Sequence, residues 1–279
     1  MFQRIRQGWE LTKKAWSVVR SNPRLARLPL VGGILALVAF VLLGGPGIFL
    51  ASGDADATTY VGYGLIAAGS YLASFIVIYY NVILAAAAND ALEGREPDLA
   101  AARGIARHRI PQIAGWALVS ALVSIAFSIL RDRGGTAGRI AAGLGSAIWG
   151  LVTFLVIPVV ALEGIGPIAA IKRSANLFKR RWGQQVTGNL VIGGISTVVM
   201  IVGAVIAGLG VYALATGSVG GTALGAVLIV AGIVIAVAAA VFAGATRGVF
   251  GVALYHFVAE DRAIGPFTVR DLESAATTR

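Results

Sequence analysis

The chain has 279 residues, of which 57% are hydrophobic and 13% are charged, with 37 glycines and a formal net charge of +10. Soluble domains contain about 25% charged residues, so this composition excludes a conventional soluble enzyme and also a disordered chain. The sequence has no cysteine and only two histidines, His108 and His256, which lie far apart. We therefore expect no disulfide, no metal site, no catalytic residues and no cofactor.

The basic residues occur in short runs between long uncharged stretches. This distribution is typical of a polytopic membrane protein and not of a nucleic-acid-binding surface, so we expect no nucleic-acid partner. The first run has helical periodicity, with apolar residues at Phe2, Ile5, Trp9, Trp16 and Val19. It predicts an amphipathic arm with a Trp-bearing face, on which Lys13 and Lys14 are candidate contacts for anionic lipid headgroups.

The long uncharged stretches predict membrane spans. A bilayer core about 30 Å thick requires about 20 apolar helical residues. Six stretches qualify, namely Pro29–Leu50, Tyr60–Ala88, Pro111–Leu130, Ile140–Leu162, Val186–Leu214 and Thr222–Val258. They predict an all-α protein with a single integral membrane domain over residues 1–279, built as three hairpins that each follow an amphipathic cytoplasmic arm. Residues 44–47, Gly-Gly-Pro-Gly, favour a bend near the outer end of the first span.

The distribution of Lys and Arg between the loops predicts the orientation. Nineteen lie in the N-terminal arm, the second and fourth connections and the tail, whereas the opposite loops hold only Arg131, Arg133 and Arg139. Cytoplasmic loops carry the excess of positive charge. We therefore expect a multi-pass protein of the plasma (inner) membrane with both termini in the cytoplasm.

A short motif recurs where each predicted hairpin ends. Residues 91–97 read Ala-Leu-Glu-Gly-Arg-Glu-Pro, residues 161–167 read Ala-Leu-Glu-Gly-Ile-Gly-Pro, and residues 258–266 are a looser version. Each motif places a glutamate, Glu93, Glu163 or Glu260, before a proline that suits the first turn of a helix. The pattern divides the chain into pseudo-repeats over about 1–90, 91–160 and 161–279.

The arm after the second motif is again amphipathic, with apolar residues at Ile168, Ile171, Ala175, Phe178 and Trp182. Its basic residues are further candidate headgroup contacts: Lys172, Arg173, Lys179, Arg180 and Arg181. The alternative is that the basic residues only fix the topology. The second and sixth spans continue beyond the bilayer thickness, so we expect the arms to cover the apolar turns 82–88 and 249–258.

Four polar residues near the spans are candidates for a structural or functional role. Arg247 is the only Lys or Arg within the predicted spans, and we expect it to pair with Glu163 or Glu260 at the interface. We also expect Glu163 to hold the arm that follows it against the bundle, through an ion pair with Lys172, Arg173 or Arg247. Asn81 is expected to form a hydrogen bond between helices.

Two parts of the sequence resemble a known family. One is the segment from Glu163 to Leu177 with the following Trp182-Gly183, and the other is the N-terminal Gly8-Trp9-Glu10-Leu11. They resemble a family of six-span prokaryotic membrane proteins of unknown function, similar in turn to the membrane domain that accompanies some glycerophosphodiester phosphodiesterases. The resemblance implies an integral membrane protein without assigned chemistry. The phosphodiesterase activity does not carry over, because this chain has no such catalytic domain.

The sequence thus leaves its function open between two classes. The first is a non-enzymatic membrane scaffold or lipid-interacting protein that uses its basic arms, with membrane lipids, including anionic ones, as its partners. The alternative is a transporter or channel for a small or lipidic solute. The sequence does not define an oligomeric state.

Overall fold

A computed structural model describes residues 2–52, 57–182, 191–215 and 219–276. The described residues form helices joined by turns, without a β-strand. Within these ranges eleven helices follow one another: α1 Phe2–Ser21, α2 Pro23–Ala51, α3 Ala57–Leu92, α4 Leu99–His108, α5 Ile110–Arg133, α6 Gly135–Val152, α7 Val156–Leu162, α8 Pro167–Trp182, α9 Val191–Ala215, α10 Val219–Glu260 and α11 Val269–Ala276. The all-α prediction is confirmed.

Five helical segments of the described chain are long and apolar enough to cross a membrane. They are α2, α3, α5, the combined stretch Gly135–Leu162, and α10 from Leu224. The fifth predicted span corresponds to α9, for which the apolar stretch Val199–Ala215 is shorter. The first residues of that predicted span, 186–190, lie outside the described residues, so six spans remain a prediction.

The long helices pair as hairpins, α2 with α3, α5 with α6, and α9 with α10. Glycines bring the backbones together in the outer parts of these pairs. A Cβ on Gly232 would lie 2.5 Å from the Gly203 carbonyl oxygen, and a Cβ on Gly225 would lie 2.7 Å from that of Gly210. Only a residue without a side chain permits this approach, which is a common way for membrane helices to pack.

The fourth and first predicted spans differ in their continuity. The fourth is interrupted at residues 153–155, between α6 and α7, where the Ser174 hydroxyl of α8 donates to the Val152 carbonyl at 2.5 Å. The first span, in contrast, is continuous through residues 44–47, because α2 extends to Ala51 with Pro46 inside the helix. The bend expected there stays a prediction. Gly47 lies directly against Gly62 of α3, and this close contact supports the helix around Pro46.

One end of the bundle, which we call the capped end, has a continuous buried core. Here α1, α4, α8 and α11 pack on α7 and on the last turns of α3 and α10. Residues 82–88 and 249–258 are all buried. The expectation that the arms cover these apolar turns is therefore confirmed. The apolar faces of α1 and α8 lie on the bundle, with Leu11, Val19 and Leu177 in the core.

The three repeated glutamates end their helices in the same way. Gly94, Gly164 and Asp261, the residues that follow them, have φ values of 78°, 68° and 55°. A left-handed residue after the last turn terminates a helix, and glycine or a short polar residue adopts it at least cost. The looser third motif therefore keeps the same backbone turn although its sequence has diverged.

The short helix α11 was not predicted. Thr268 and Asp271 cap its start, since the Thr268 backbone N–H donates to Asp271 Oδ2 at 2.7 Å. Leu272 is fully buried, and Lys14 Nζ of α1 lies 2.5 Å from Asp271 Oδ2. The two ends of the chain are thus joined at the capped end. Burial alone would raise the pKa of Asp271, but hydrogen bonds from Lys14 and Thr268 outweigh it and hold that pKa below its ordinary value.

Candidate functional site

A cavity of about 520 Å³ opens beside the capped end, between the second helices of the three hairpins. Its walls come from α3, from α6 and α7 with the break between them, and from α10, while Phe178 of α8 closes it on the capped side. Binding sites for small molecules have volumes of about 300–1,000 Å³ and mostly apolar linings. The size and lining of this cavity, which we call the central cavity, place it in that class.

The central cavity brings together two of the predicted polar residues, Asn81 of α3 and Arg247 of α10. In the ranges that the structure describes, neither side chain forms a hydrogen bond or an ion pair, so the interhelical hydrogen bond predicted for Asn81 is wrong. Most of the lining around them is apolar, including Phe154, Phe250 and Leu254. Arg247 is exposed and Asn81 is half-buried, so both polar side chains are accessible from the central cavity.

The other polar side chains of the lining are already satisfied within their own helix. The Thr153 hydroxyl donates to the Trp149 carbonyl at 2.7 Å, and the Ser146 hydroxyl donates to the Gly143 carbonyl at 2.9 Å. The guanidinium and the amide are therefore the polar groups of the lining that remain available to a ligand. They offer several N–H donors and one amide oxygen, a combination that suits an anion.

The predicted pairing of Arg247 with Glu163 or Glu260 is wrong. Glu163 accepts hydrogen bonds from Arg173 and Tyr255, and Glu260 contacts His256 and Arg262. The physical reason is distance, because Arg247 lies eight residues before Tyr255 on the same helix, about 12 Å at 1.5 Å per residue. The arginine is thus left facing the central cavity.

Glu163 joins three elements of the capped end. Arg173 Nε of α8 lies 2.9 Å from Glu163 Oε1, and the Tyr255 hydroxyl of α10 donates to the same oxygen at 2.8 Å. The hydrogen bond to Glu163 raises the pKa of Arg173 above its ordinary value, although desolvation acts in the opposite direction. Lys172, the other neighbour considered from the sequence, is exposed. The arm is therefore tied to the bundle through Arg173.

The turn after Glu163 packs tightly against the start of α5. The left-handed Gly164 lies under the Arg109 guanidinium, so a Cβ at this position would collide with it. Gln112 Nε2 donates to the Gly164 carbonyl at 3.3 Å. The start of α5 is thereby held against the loop between α7 and α8.

The other two repeated glutamates meet around His256, which is 5% exposed. Its Nδ1 lies 2.7 Å from Glu260 Oε2, and its Nε2 lies 2.6 Å from Asn89 Oδ1 of α3. Arg262 connects the two motifs, at 3.4 Å from Glu260 and 3.3 Å from Glu93. Burial alone would raise the pKa of Glu93, but hydrogen bonds from Arg95 and Arg262 lower it below its ordinary value.

The candidate headgroup contacts on the arms fall into three groups. Lys14 and Arg173 form ion pairs within the protein, with Asp271 and Glu163. Lys172 and Lys179 are exposed, and so is Lys13, whose Nζ lies 5.6 Å from the centre of the Trp9 ring. Arg180 and Arg181 lie in the last turn of α8, and their side chains are outside the described part of the structure. The arms therefore offer fewer free cations to lipid than their sequence indicated.

The sequence profile of a family of unknown function, DUF6159, matches residues 61–265, which is most of the chain. The chain belongs to this family. No curated protein and no solved structure gives a significant match. The likeness to the membrane domain beside glycerophosphodiester phosphodiesterases therefore stays a prediction. The DUF6159 match includes Asn81, Arg247 and the three repeated glutamates, whereas α1 and α2 precede it.

Sequence reasoning identified the individual polar residues and included Arg173 among the candidate partners of Glu163, but it missed the other partners. Asn89 was not assigned to His256, nor Tyr255 to Glu163, because these contacts join α3, α7 and α10 across the bundle. One signal was available for His256 and Asn89, since each lies four residues before a repeated glutamate and thus on the same helix face. No comparable pattern indicates that Asn81 and Arg247 share a cavity.

Proposed function

We propose that this DUF6159 protein is a non-enzymatic integral membrane protein that binds an anionic amphiphile in the central cavity. The observation that carries the proposal is the pair of unpartnered polar groups, Arg247 and Asn81, in a mostly apolar lining. A fatty-acid carboxylate matches them, because guanidinium binds carboxylate through two N–H donors and the amide can supply a further one. The chain of the amphiphile then lies against the apolar wall.

The depth of Arg247 supports this orientation of the ligand. It lies 28 residues after the start of α10, about 42 Å along the helix at 1.5 Å per residue. That distance exceeds a bilayer core of about 30 Å, so the guanidinium lies near headgroup level at the capped end. The polar head of a membrane amphiphile occupies the same level, with its chain directed toward the core.

We further propose that the capped end faces the cytoplasm and that the membrane is the plasma (inner) membrane. The excess of Lys and Arg in the arms and connections at this end supports that orientation. In this arrangement the exposed Lys13, Lys172 and Lys179 lie near an anionic leaflet, to which basic residues contribute about 1 kcal/mol each. They increase the local concentration of anionic amphiphiles, while the central cavity selects among them.

Binding of oleate to the protein in phosphatidylcholine nanodiscs, followed by native mass spectrometry, tests the proposal. We expect Arg247→Gln to weaken oleate binding at least about tenfold, because it removes the charged half of the site. Gly150→Leu adds a bulky side chain to a lining residue and should abolish binding without a steric cost, since a Cβ at Gly150 has no neighbour within 4 Å.

Matched controls keep this experiment specific. Gly143→Leu lies two turns earlier on α6, is equally unobstructed and does not line the cavity, so it should bind oleate normally. Lys179→Gln removes an exposed charge of the arm. Oleate binding that is unchanged in Arg247→Gln and Gly150→Leu would refute the cavity site. A loss confined to Lys179→Gln would show that surface attraction alone retains the anion.

A carrier for the same class of ligand is the second candidate function. The interruption of the fourth span at residues 153–155, directly against the central cavity, favours it, because interrupted membrane helices line the sites of many transporters. Movement of oleate between the leaflets of proteoliposomes distinguishes the two functions. Movement at the protein-free rate supports binding alone, and an acceleration that Gly150→Leu abolishes supports the carrier.

A further inference from the structure

A second cavity, of about 680 Å³, lies at the rim of the capped end. It is formed where α2 begins and where the first repeat motif leads into α4, with Tyr80 of α3 as its back wall. Three arginines line it, Arg24, Arg27 and Arg103, together with the carboxylates of Glu96 and Asp98. We call it the rim groove.

Both carboxylates of the rim groove are already engaged. Glu96 Oε1 accepts a hydrogen bond from Arg24 at 3.0 Å. Asp98 Oδ1 caps α4, where it accepts from the backbone N–H groups of Ala100 and Ala101 at 2.8 and 3.0 Å. Within the described ranges of the chain, Arg27, Arg103 and the Tyr80 hydroxyl have no hydrogen-bond or ion-pair partner. The groove thus retains two unpaired guanidinium groups and a hydroxyl donor.

An apolar track leaves the groove along the outer face of α2. Val31 lines the groove and is 40% exposed, and Leu35 and Val38 follow it with 44% and 47% exposure. Residues three and four apart share one helix face, so these side chains form a continuous strip. The strip runs from the groove into the part of α2 that is apolar enough to cross a membrane.

We propose that the rim groove binds the phosphate of a two-chain membrane phospholipid. Arg27 and Arg103 hold the phosphate oxygens, the Tyr80 hydroxyl donates to one of them, and an acyl chain follows Val31, Leu35 and Val38. The apolar track is the reason to assign a lipid and not free phosphate. The proposal is independent of oleate binding in the central cavity, because the two cavities have no lining residue in common.

Photo-crosslinking tests the assignment on the full chain in phosphatidylcholine nanodiscs. The probe is phosphatidic acid with a diazirine in one acyl chain, and peptide mass spectrometry locates the adducts. We expect adducts on α2 at residues 31–38, reduced about tenfold in the double variant Arg27→Gln with Arg103→Gln. The matched double variant Arg20→Gln with Arg107→Gln removes two exposed arginines outside the groove and should retain the adducts.

Two further measurements distinguish phospholipid from free phosphate and the rim groove from the central cavity. An excess of inorganic phosphate should leave the α2 adducts in place, and its suppression of them would assign the groove to free phosphate. Arg247→Gln should also leave them unchanged, and their loss in that variant would show that the groove is not a separate site. Equal labelling in both arginine double variants would overturn the proposal. Unaltered thermal unfolding of the variants excludes misfolding as the cause of any loss of adducts.

Discussion

The two halves of α10 are both rich in apolar side chains but have opposite surroundings. Val252 is fully buried at the capped end, whereas Val230 is 61% exposed in the outer half. At the capped end α1, α8 and the last turns of α3 cover this helix, whereas its outer half packs on α9 at Gly225 and Gly232 and leaves much of its apolar surface exposed. An exposed apolar surface of this extent requires an apolar solvent. The comparison indicates that protein solvates one half of the helix and lipid the other.

The two regions are also held together differently. The capped end has interlocking side chains and ion pairs, among them Glu163 with Arg173. The outer hairpins depend on close backbone approach at glycines such as Gly203 and Gly232. In lipid, apolar burial does not drive helix association, so close packing takes its place. Matched substitutions in the two regions measure this difference.

The largest expected effect concerns the glycine contacts of the outer region. Gly232→Leu should lower the free energy of unfolding by about 3 kcal/mol, because the new side chain meets the α9 backbone and neither helix can yield without losing contact. Gly208→Leu is the control, since a Cβ there has no neighbour within 4 Å. Equilibrium denaturation in mixed micelles provides both values. Equal losses would show that these helices are not in close contact.

The next effect compares the two halves of α10 directly. Val252→Ala should cost about 2 kcal/mol, from the buried methyl groups it removes and the cavity it leaves. Val230→Ala should cost less than about 0.5 kcal/mol, because lipid fills the space in the exposed half. The same denaturation measurement applies. A cost at Val230 as large as that at Val252 would mean that the outer half of α10 is buried against protein.

A smaller effect is expected at the repeated glutamate that links three elements. Glu163→Gln should cost about 1 kcal/mol, because Arg173 loses its charged partner at a half-buried site. Glu96→Gln, which breaks an exposed pair with Arg24, is the control and should have little effect on stability. Thermal unfolding of the two variants in detergent measures the difference in stability. A loss in Glu96→Gln that matches Glu163→Gln would remove the distinction between the two ion pairs.

The smallest effect is a pH dependence at the contact between the chain ends. The pKa of Asp271 is lowered in the folded protein, so its contribution to stability is present above the ordinary carboxyl pKa and is lost as pH falls through the folded value. Because the pair is partly exposed, we expect about 0.5 kcal/mol. The hydrogen-exchange protection factors of α11, which correct for the pH dependence of intrinsic exchange, should fall about twofold at low pH in the native protein. In Lys14→Met they should already be lower by about that amount at neutral pH. Lys13→Met should behave as the native protein.

The sequence predicted correctly those features that depend on residues within a single helix. Periodicity predicted the arms, and hydropathy with length predicted most of the long helices. The motif around each glutamate was also recognisable as an internal repeat. Only the structure shows that Asp261 adopts the same left-handed backbone conformation as Gly94 and Gly164. Local patterns carry these features because they depend on residues a few positions apart.

Features that join distant parts of the chain could not be predicted in the same way. The contact between Lys14 and Asp271 spans almost the whole chain, and α11 has too few residues for a clear periodic signal. Arg247 was assigned to a carboxylate because an unpaired charge near a span is costly. The structure gives those carboxylates other partners, and that choice depends on how the three hairpins pack.

The most direct test of the central claim is the distance between Arg247 and a bound anion. Solid-state NMR can measure dipolar coupling between the guanidinium nitrogens and oleate labelled with ¹³C at its carboxyl carbon, in lipid bilayers. Binding in the central cavity predicts a strong coupling that disappears in Gly150→Leu and persists in Gly143→Leu. Coupling of the arginine to a protein carboxylate, with none to oleate, would contradict the account.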